Sequence, residues 1–434
     1  MTALSMAVRG SIASLDAAAS AVLFERTSAS DPVVRERTSG IIARVRADGD
    51  SALLALAREF DGAALASVEV PRPAWRAALN ALPAALRRAL ERTAANVRQV
   101  HEAFRPLSTE VITRDGAVIT RRPDPLSRVG VYAPGGRAAY PSSLLMGVVP
   151  ARVAGVGEVI VCSPPGADGL PSSVLMAAAE LAGADRLFAV GGAGAIAAMA
   201  YGTATIPAVD RIVGPGNAYV AEAKAQVASV TAIDSPAGPS ELLVIADGSA
   251  SPDVVTRELL AQAEHDPMAA VVLVSTSSRL IEAVEQRLAE WTPREPRAAV
   301  IRDAFASRGA LLWASSLEEA VTFANRWSPE HLLIATANAD GVTPLVRNAG
   351  TVFVGETASV AFGDYMSGAN HVLPTGGLSR AYSGLSTLDF YRWTTFQRID
   401  RAAAARLAAD VGIFADAERL PAHAASARQW EDAR

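Results

Sequence analysis

Cysteine is almost absent from this chain of 434 residues, which contains only Cys162. One cysteine cannot form a disulfide within the chain, and this fits a reducing compartment. The apolar stretch near the start is interrupted by Asp16 and follows a single arginine, so it makes a poor secretory signal. We therefore expect a cytoplasmic protein.

The chain also lacks a surplus of basic charge and any long apolar run. It has 40 Lys and Arg residues against 45 Asp and Glu residues, a formal net charge of -5, whereas a nucleic-acid-binding surface needs an excess of positive charge. No uninterrupted apolar run approaches the length of a membrane-spanning helix, about 20 residues. We expect neither a nucleic-acid partner nor a membrane span. The length suits two or three domains of roughly 150 residues each.

The first hundred residues read as helical. Residues 30–32, Ser-Asp-Pro, are typical of a helix start, and the Asp-Gly-Asp at 48–50 ends that helix. A short strand is expected at 68–70, and helical spacing of apolar residues predicts a helix over 84–104. His101 lies in that helix, where we interpret it as an ordinary surface or capping histidine.

The pattern then changes to strands. Asp115-Gly116 separates two β-branched runs and predicts a hairpin in which both turn residues have positive φ. From residue 128 onward, short apolar strands alternate with Ala-rich helices. The predicted strands are 128–133, 158–163, 186–190, 211–214, 241–246, 269–274, 309–314, 331–335 and 350–355.

This alternation predicts an α/β fold with a mostly parallel sheet, or two, that carries helices on both faces. We expect two Rossmann-like, mostly parallel sheet domains. Small helical segments are expected at the two ends of the chain, and after Leu385 the sequence reads as helical through FYRWTTFQRI to the end. Ligands of such folds bind at the carboxyl ends of the strands, so the loops after strands are the expected location of a site.

Four segments hold four of the five histidines. In the first, Gln262 and His265 lie three apart near a helix end, so both can face one ion. A hydrogen-bonded histidine at a helix C-terminus would explain His265 equally well. In the second, Glu330 and His331 follow a proline just before a strand and can supply two acid/base groups to one cleft. Adjacent residues often point apart, so a purely structural role stays open.

The third segment is the glycine-rich stretch 363–377 with Asp364 and His371, and the fourth contains Glu418 and His423 near the end of the chain. Taken alone, the third segment also reads as a surface loop with a helix-capping aspartate and a solvated histidine. His423 taken alone is a histidine on an amphipathic helix. With almost no cysteine, a transition metal here must have N and O ligands, a set that suits zinc.

A glycine motif in the middle of the chain is a weaker signal. Residues 192–197 match G-x-G-x-x-A, a dinucleotide-binding pattern, with Asp210 downstream. Such strings are common at the starts of Gly- and Ala-rich helices, and another strand signal lies between the motif and Asp210. We therefore interpret the match as accidental.

Beyond these separate signals, the chain resembles the histidinol dehydrogenases over nearly its whole length, and most loosely over its first hundred residues. The resemblance is carried by long, ordered strings and by ERLPAH in the tail. These strings occupy residues 129–156, 214–224, 237–247, 261–267, 328–334, 350–355 and 363–380.

The resemblance implies roles for particular residues. Zinc ligands fall on Gln262, His265, Asp364 and His423, the last reaching across from the other subunit of a homodimer, and acid/base groups fall on Glu330 and His331. Besides the zinc ligands and His331, substrate contacts are implied at Ser240, His371 and Glu418. NAD contacts are implied at Tyr132, Asn217 and position 194, where Gly194 replaces the usual glutamine and a water or backbone contact is expected instead. Arg419 also replaces a usual glycine.

The implied reaction is the oxidation of L-histidinol through a bound aldehyde to L-histidine, with two NAD molecules reduced in succession. This reaction is the final step of histidine biosynthesis. The alternatives are a related zinc/NAD dehydrogenase for another small polar alcohol, such as a sulfonated diol, and an inactive zinc-stabilised binding protein.

The expected organisation follows the same resemblance. The ranges are an N-terminal segment 1–30, a discontinuous α/β domain 31–130 and 237–385, a second α/β domain on the NAD side 131–236, and a C-terminal tail 386–434 that reaches the partner subunit.

Overall fold

Most of the apolar runs predicted as strands form two parallel sheets in a computed structural model, which describes residues 4–26, 31–135 and 139–432. The strands of the described residues are β1 Val8–Ser11, β2 Thr109–Ile112, β3 Val118–Pro125, β4 Arg128–Tyr132, β5 Glu158–Ser163, β6 Arg186–Ala189, β7 Arg211–Val213, β8 Ala232–Ile233, β9 Glu241–Ala246, β10 Ala270–Ser275, β11 Gly309–Trp313, β12 His331–Ala335, β13 Thr351–Val354 and β14 Tyr391–Arg398.

Helices cover both parallel sheets and form most of the two ends of the chain. They are α1 Ala17–Phe24, α2 Pro32–Asp48, α3 Asp50–Phe60, α4 Arg72–Ala81, α5 Ala84–Ala103, α6 Pro141–Ala154, α7 Ser173–Ala182, α8 Gly192–Tyr201, α9 Ala218–Val227, α10 Pro252–Ala263, α11 Ser278–Trp291, α12 Ala298–Arg308, α13 Leu317–Trp327, α14 Ala339–Val342, α15 Val360–Tyr365, α16 Arg401–Ala417 and α17 Pro421–Arg428. None of these helices, within the described ranges, is long and apolar enough to cross a membrane.

The larger sheet has six parallel strands in the order β1-β11-β10-β9-β12-β13, and the smaller parallel sheet has five in the order β6-β5-β4-β7-β8. In the smaller sheet the chain starts at the central strand β4, builds outward through β5 and β6, and then returns to the other side with β7 and β8. The larger sheet follows the same path from the central strand β9, with β1 added at its edge. This path is the doubly wound arrangement. The α/β prediction with two Rossmann-like sheets is therefore confirmed. A third, antiparallel sheet has the order β14-β3-β2.

Burial on both faces explains why the parallel strands are continuous apolar runs. In β9, Leu242 and Val244 pack into one core cluster, whereas Leu243 and Ile245 pack into another on the opposite face. Successive side chains of a strand point to opposite faces, so a sheet covered by helices on both sides needs an apolar residue at every position.

Four local expectations differ from the structure. The N-terminal segment is not wholly helical, because β1 adds to the edge of the larger sheet beside β11. Residues 68–70 form only an isolated bridge at Glu69. The 391–398 stretch forms strand β14 paired with β3 and not a helix. The hairpin of β2 and β3 is present, but only Gly116 of its turn has positive φ. For β14, pairing with an available sheet edge overrides the local helical reading.

Candidate active site

Two adjacent acid/base side chains lie together at the start of β12. The helix α13 ends at Trp327, and Ser328 adopts a left-handed conformation with φ 52°. This reversal leads the chain through a proline into Glu330 and His331, whose side chains are 6% and 4% exposed. The Glu330 Oε2 atom lies 3.4 Å from Nδ1 of His331. The two side chains therefore converge, and the expectation that they can share one cleft agrees with this geometry.

The register of the larger sheet determines which nitrogen of His331 is free. His331 pairs with Leu242 across β12 and β9, which places its ring beside the preceding residue, Glu241. The backbone carbonyl of Glu241 accepts a hydrogen bond from Nδ1 at 2.9 Å. The Nε2 atom is buried without a hydrogen-bond partner among the described residues and lies 3.8 Å from Oδ1 of Asp364. In its neutral form, a ring that donates through Nδ1 presents its Nε2 lone pair to this cleft.

Opposing effects act on the charge of His331. Burial, the largest effect, lowers the pKa of this imidazole, but the neighbouring carboxylates of Glu330 and Asp364 and the carbonyl of Glu241 together raise it to about 9. A cation bound by Asp364 would lower the pKa of His331 again, because it would neutralise a carboxylate that stabilises the imidazolium. The protonation of His331 is thus tied to what Asp364 binds.

Glu330 is held by the same strand. Its Oε2 atom accepts a hydrogen bond of 2.7 Å from the backbone N–H of Glu241. The first residue of β9 therefore contacts both members of the pair through its main chain, the N–H to Glu330 and the carbonyl to His331.

The site lies at the amino ends of the strands of the larger sheet, contrary to the expectation for such folds. Glu241 opens β9 and His331 opens β12. Gln262 and His265 likewise precede β10, at the end of helix α10. The candidate acid/base pair therefore lies at the opposite end of this sheet from the one where ligands of such folds are expected.

The glycine-rich loop 363–377 is held in place by helix α5. Thr93 Oγ1 donates to the backbone carbonyl of Tyr365 at 2.8 Å, and Asn96 Nδ2 donates to that of Met366 at 2.7 Å. Gly368 has φ 92°, and a Cβ atom added there would lie 2.6 Å from the carbonyl oxygen of Asn96. This loop is therefore neither free nor solvated, and its glycine permits close packing against α5.

His371 connects this loop to the smaller sheet. Its Nδ1 donates to the backbone carbonyl of Asp364 at 2.8 Å, and its Nε2 lies 3.2 Å from Oγ of Ser143 at the start of α6. Because Nδ1 carries the proton, Nε2 accepts from the serine hydroxyl. Burial lowers the pKa of His371, which favours this neutral form. A substrate group that contacts Nε2 must replace or share the bond to Ser143.

The proposed metal ligands are only partly gathered within one chain. Asp364 lies beside His331, and Gln262 is buried with its Nε2 atom unpartnered among the described residues. Gln262 lies one turn beyond Glu258, whose Oε2 accepts from the N–H of Val360 at the start of α15, so both buried side chains share the helix face next to α15.

The remaining proposed ligands lie at the surface. His265 and His423 are exposed, as is Glu418, the substrate contact implied on the tail. Within residues 4–26, 31–135 and 139–432, no three His, Cys, Asp or Glu side chains are grouped closely enough to hold a metal ion. The N and O donors suit zinc in kind, but one chain leaves the set incomplete.

Two of the residues implied for NAD, Tyr132 and Asn217, lie at the switch point of the smaller sheet. Tyr132 ends β4, and Asn217 follows β7, the strand on the other side of the reversal. This is the position where doubly wound sheets bind dinucleotides. The hydroxyl of Tyr132 accepts from the backbone N–H of Gly192 at 3.1 Å, and Asn217 caps helix α9.

Gly194 lies two residues beyond Gly192 in helix α8, after the edge strand β6 rather than at the switch point. Its Cα is buried against α3, since an added Cβ would meet Leu56 at 3.1 Å and Leu53 at 3.5 Å. This placement agrees with an accidental glycine motif.

Comparison with known proteins identifies the family. The family model for histidinol dehydrogenase matches residues 24–430. The histidinol dehydrogenase of Methanosarcina barkeri is 45% identical over 381 residues, 88% of each chain. That of Bordetella parapertussis is 46% identical over 383 residues, 88% of this chain and 87% of its own. The chain belongs to the histidinol dehydrogenase family. It is therefore an NAD-linked oxidoreductase.

A solved structure agrees over nearly the full length. The crystal structure of histidinol dehydrogenase from Elizabethkingia anophelis superimposes with a TM-score of 0.93 at 31% identity and covers 98% of both chains. The fold of this histidinol dehydrogenase family member is thus common to both proteins.

Three residues at the site were not predicted: Ser143, Glu241 and Arg26. The sequence signal for Ser143 is weak, since it is only that of a serine in the first turn of a helix that follows a central strand. Glu241 has a stronger one, because a charged residue that opens a wholly apolar strand needs a partner once buried. Arg26 has none, since its position in the site depends on how the N-terminal segment packs.

Proposed function

We propose that this enzyme oxidises L-histidinol to L-histidine in two steps through bound L-histidinaldehyde. The observation that carries the proposal is the buried pair of Glu330 and His331. Nδ1 of the histidine donates to a backbone carbonyl, and Nε2 faces Asp364 with no hydrogen-bond partner in the part of the chain that the structure describes. One base can accept the hydroxyl proton when an alcohol is oxidised, and a second base can accept a proton from the water that adds to an aldehyde.

The two residues have different tasks in this proposal. His331 Nε2 accepts the hydroxyl proton of the alcohol in the first oxidation. Glu330 then removes a proton from the water that adds to the aldehyde, and the hydrate is oxidised in the second step. Cys162 takes no part, because burial raises the pKa of this thiol far above its usual value and no thiolate is available to form a thiohemiacetal.

Zinc and NAD complete the proposed site. Gln262, His265, Asp364 and the tail residue His423 of a second copy would hold the zinc ion, which supplies a fixed anchor for the imidazole and amino nitrogens of the substrate. The exposed position of His423 in a single chain supports a homodimer with shared sites. NAD would bind at the switch point beside Tyr132 and Asn217, with position 194 approaching it from helix α8, and would supply the hydride acceptor.

Substrate selection is assigned to polar residues around the anchor. Ser240 lies immediately before β9 and next to Glu241, while His371 lies across the cleft on the glycine-rich loop. Glu418, on the tail, joins them only from a second copy in this proposal. We place the enzyme in the cytoplasm, at the last step of histidine biosynthesis.

The amount of NADH formed for each histidinol consumed tests the overall reaction. Two NADH per histidinol is the expected result. One NADH would indicate an ordinary alcohol dehydrogenase. Activity on a sulfonated diol in place of histidinol would indicate a related enzyme with a different substrate, and zinc binding without NADH formation an inactive binding protein.

The division of roles is tested with Glu330→Gln. The amide cannot accept a proton from water, so aldehyde oxidation should fall far more than alcohol oxidation, by about 100-fold or more for a lost general base. Each half-reaction is measured separately, starting from histidinol and from histidinaldehyde. Equal losses in both would contradict the assignment.

A further inference from the structure

A buried arginine from the N-terminal segment reaches the back of the acid/base pair. Arg26 follows helix α1 and is 3% exposed. Its Nη1 lies 3.1 Å from Oε2 of Glu241, and both side chains are 2% exposed. A buried ion pair of this kind is costly to form unless its geometry and further hydrogen bonds compensate for lost hydration.

The second contact of Arg26 is with the start of the turn that carries the pair. The guanidinium lies over the ring of Trp327, 3.5 Å from its centroid, and Nη2 donates to the Trp327 carbonyl. Trp327 is the last residue of α13, three positions before Glu330. One side chain therefore joins the end of α13 to the start of β9.

Glu241 connects Arg26 to the acid/base pair, because it contacts both Glu330 and His331. Its side-chain Oε1 accepts from the N–H of Gly376 at 2.8 Å, which ties it to the glycine-rich loop. Its backbone N–H and carbonyl contact Glu330 and His331, as described above. The carboxylate is thus fixed by Arg26 and Gly376, while the main chain of the same residue fixes the acid/base pair.

We propose that Arg26 and Glu241 are positioning residues for the reaction, acting together to hold Glu330 and His331 in their working orientation. This inference rests on the acid/base roles proposed above. Neither residue needs to touch the substrate. The pair acts from behind the site, through the Glu241 main chain and the Trp327 carbonyl.

The test separates positioning from simple stability. Removing one partner leaves a buried charge unpaired, so Arg26→Met or Glu241→Gln alone should destabilise the fold strongly. The double variant Arg26→Met/Glu241→Gln has no unpaired charge and should regain a melting temperature close to that of the wild type. Its kcat should nevertheless stay about 10- to 100-fold low, because small displacements of reacting groups have effects of that size.

The KM for histidinol and the zinc content of the double variant should remain close to wild type, since neither depends on the orientation of the pair. A double variant with wild-type stability and wild-type kcat would overturn the proposal, because the ion pair would then serve stability alone.

A conservative variant covers the case in which the double variant does not fold. Arg26→Lys keeps the positive charge beside Glu241 but cannot also stack on Trp327 and donate to its carbonyl with a planar group. We expect a folded enzyme whose kcat lies between those of wild type and Arg26→Met, with KM unchanged. A kcat equal to that of the wild type would also overturn the proposal.

A control for the loss of such contacts is available in Arg72, whose side chain is 40% exposed where that of Arg26 is 2% exposed. It makes the same three kinds of contact far from the pair: its guanidinium lies 5.2 Å from the Trp75 ring, its Nε donates to Glu180 at 2.9 Å and its Nη1 donates to the Ala184 carbonyl at 3.2 Å. Arg72→Met should leave kcat unchanged. A loss of kcat equal to that of the Arg26 variants would show a general effect of losing such an arginine, and would count against positioning.

Glu330→Gln is measured alongside these variants. If it is impaired and the double variant is not, only the positioning inference fails. If Glu330→Gln keeps wild-type rates in both half-reactions, the acid/base assignment fails and the inference fails with it.

Discussion

His101 is predicted to make the stability of this enzyme depend on pH. The side chain lies in the last turn of α5 and is 1% exposed, so of the two roles expected from its position, surface or capping, the surface one does not hold. Its Nδ1 accepts from the N–H of Thr387 at 3.2 Å, and its ring meets Phe104 edge-on with 5.7 Å between centroids. The Nε2 atom has no partner among the described residues.

The size of this pH dependence follows from the difference between the pKa of His101 in the folded chain and in the unfolded chain. Burial lowers the pKa of His101 to about 4, whereas an unfolded histidine has a pKa of about 6.5. The folded state therefore prefers the neutral ring, and the unfolded state binds more protons between these values. The stabilisation is fully present above pH 6.5 and is lost as pH falls toward 4. By pH 4.5 the loss amounts to about 2.5 kcal/mol in the free energy of unfolding.

The assay compares wild type with His101→Asn, whose amide oxygen keeps an acceptor for Thr387 but does not titrate. Urea unfolding is measured from pH 7.5 to 4.5 at fixed protein concentration, because subunit association changes apparent stability. Other groups titrate equally in both proteins, so wild type should lose about 2.5 kcal/mol more than the variant. If the free energy of unfolding changes equally with pH in the two proteins, the reasoning is refuted.

Three further predictions concern the cofactor loop, the cysteine and the tail. Gly214→Ala should weaken NAD binding and lower the melting temperature, because Gly214 has φ 114° and an added Cβ would overlap the carbonyl oxygen of Tyr132; an unchanged KM for NAD would contradict it. Cys162→Ala should leave both half-reactions near normal, and loss of aldehyde oxidation alone would restore a thiol mechanism. His423→Asn should lower zinc content, and mixing it with a His265→Asn variant should restore part of the activity if subunits share sites. The absence of restoration, despite demonstrated subunit exchange, would indicate a site within one chain.

The strands of the parallel sheets are the best case for prediction from sequence. Glu158–Ser163 and Glu241–Ala246 were predicted to the residue, because a strand buried on both faces must be apolar throughout and ends where that run ends. The strand at Tyr391–Arg398 was not predicted, because the condition of burial on both faces does not apply to it. It pairs with one edge of a hairpin and is largely exposed, so its sequence carries little of the apolar signal.

The candidate site was likewise predicted only in part from the sequence. Residue types and motifs pointed to Glu330, His331 and Asp364, and the structure places these three together. Their location at the amino ends of the strands contradicted the general rule for such sheets. The tautomer of His331 depends on strand register, which brings Glu241 beside it. No local pattern in the sequence encodes that register.

The sequence alone determined the α/β class, the extent of the apolar strands, the position of Cys162 in an apolar strand and the candidate residues for the chemistry. These properties are local, since they depend on which side chains follow one another along the chain. The tertiary structure decided that Arg26 lies behind Glu330 and His331, that Ser143 binds His371, and that His101 is buried. Each of these depends on segments distant in sequence that are brought together by packing, so only the folded chain specifies them.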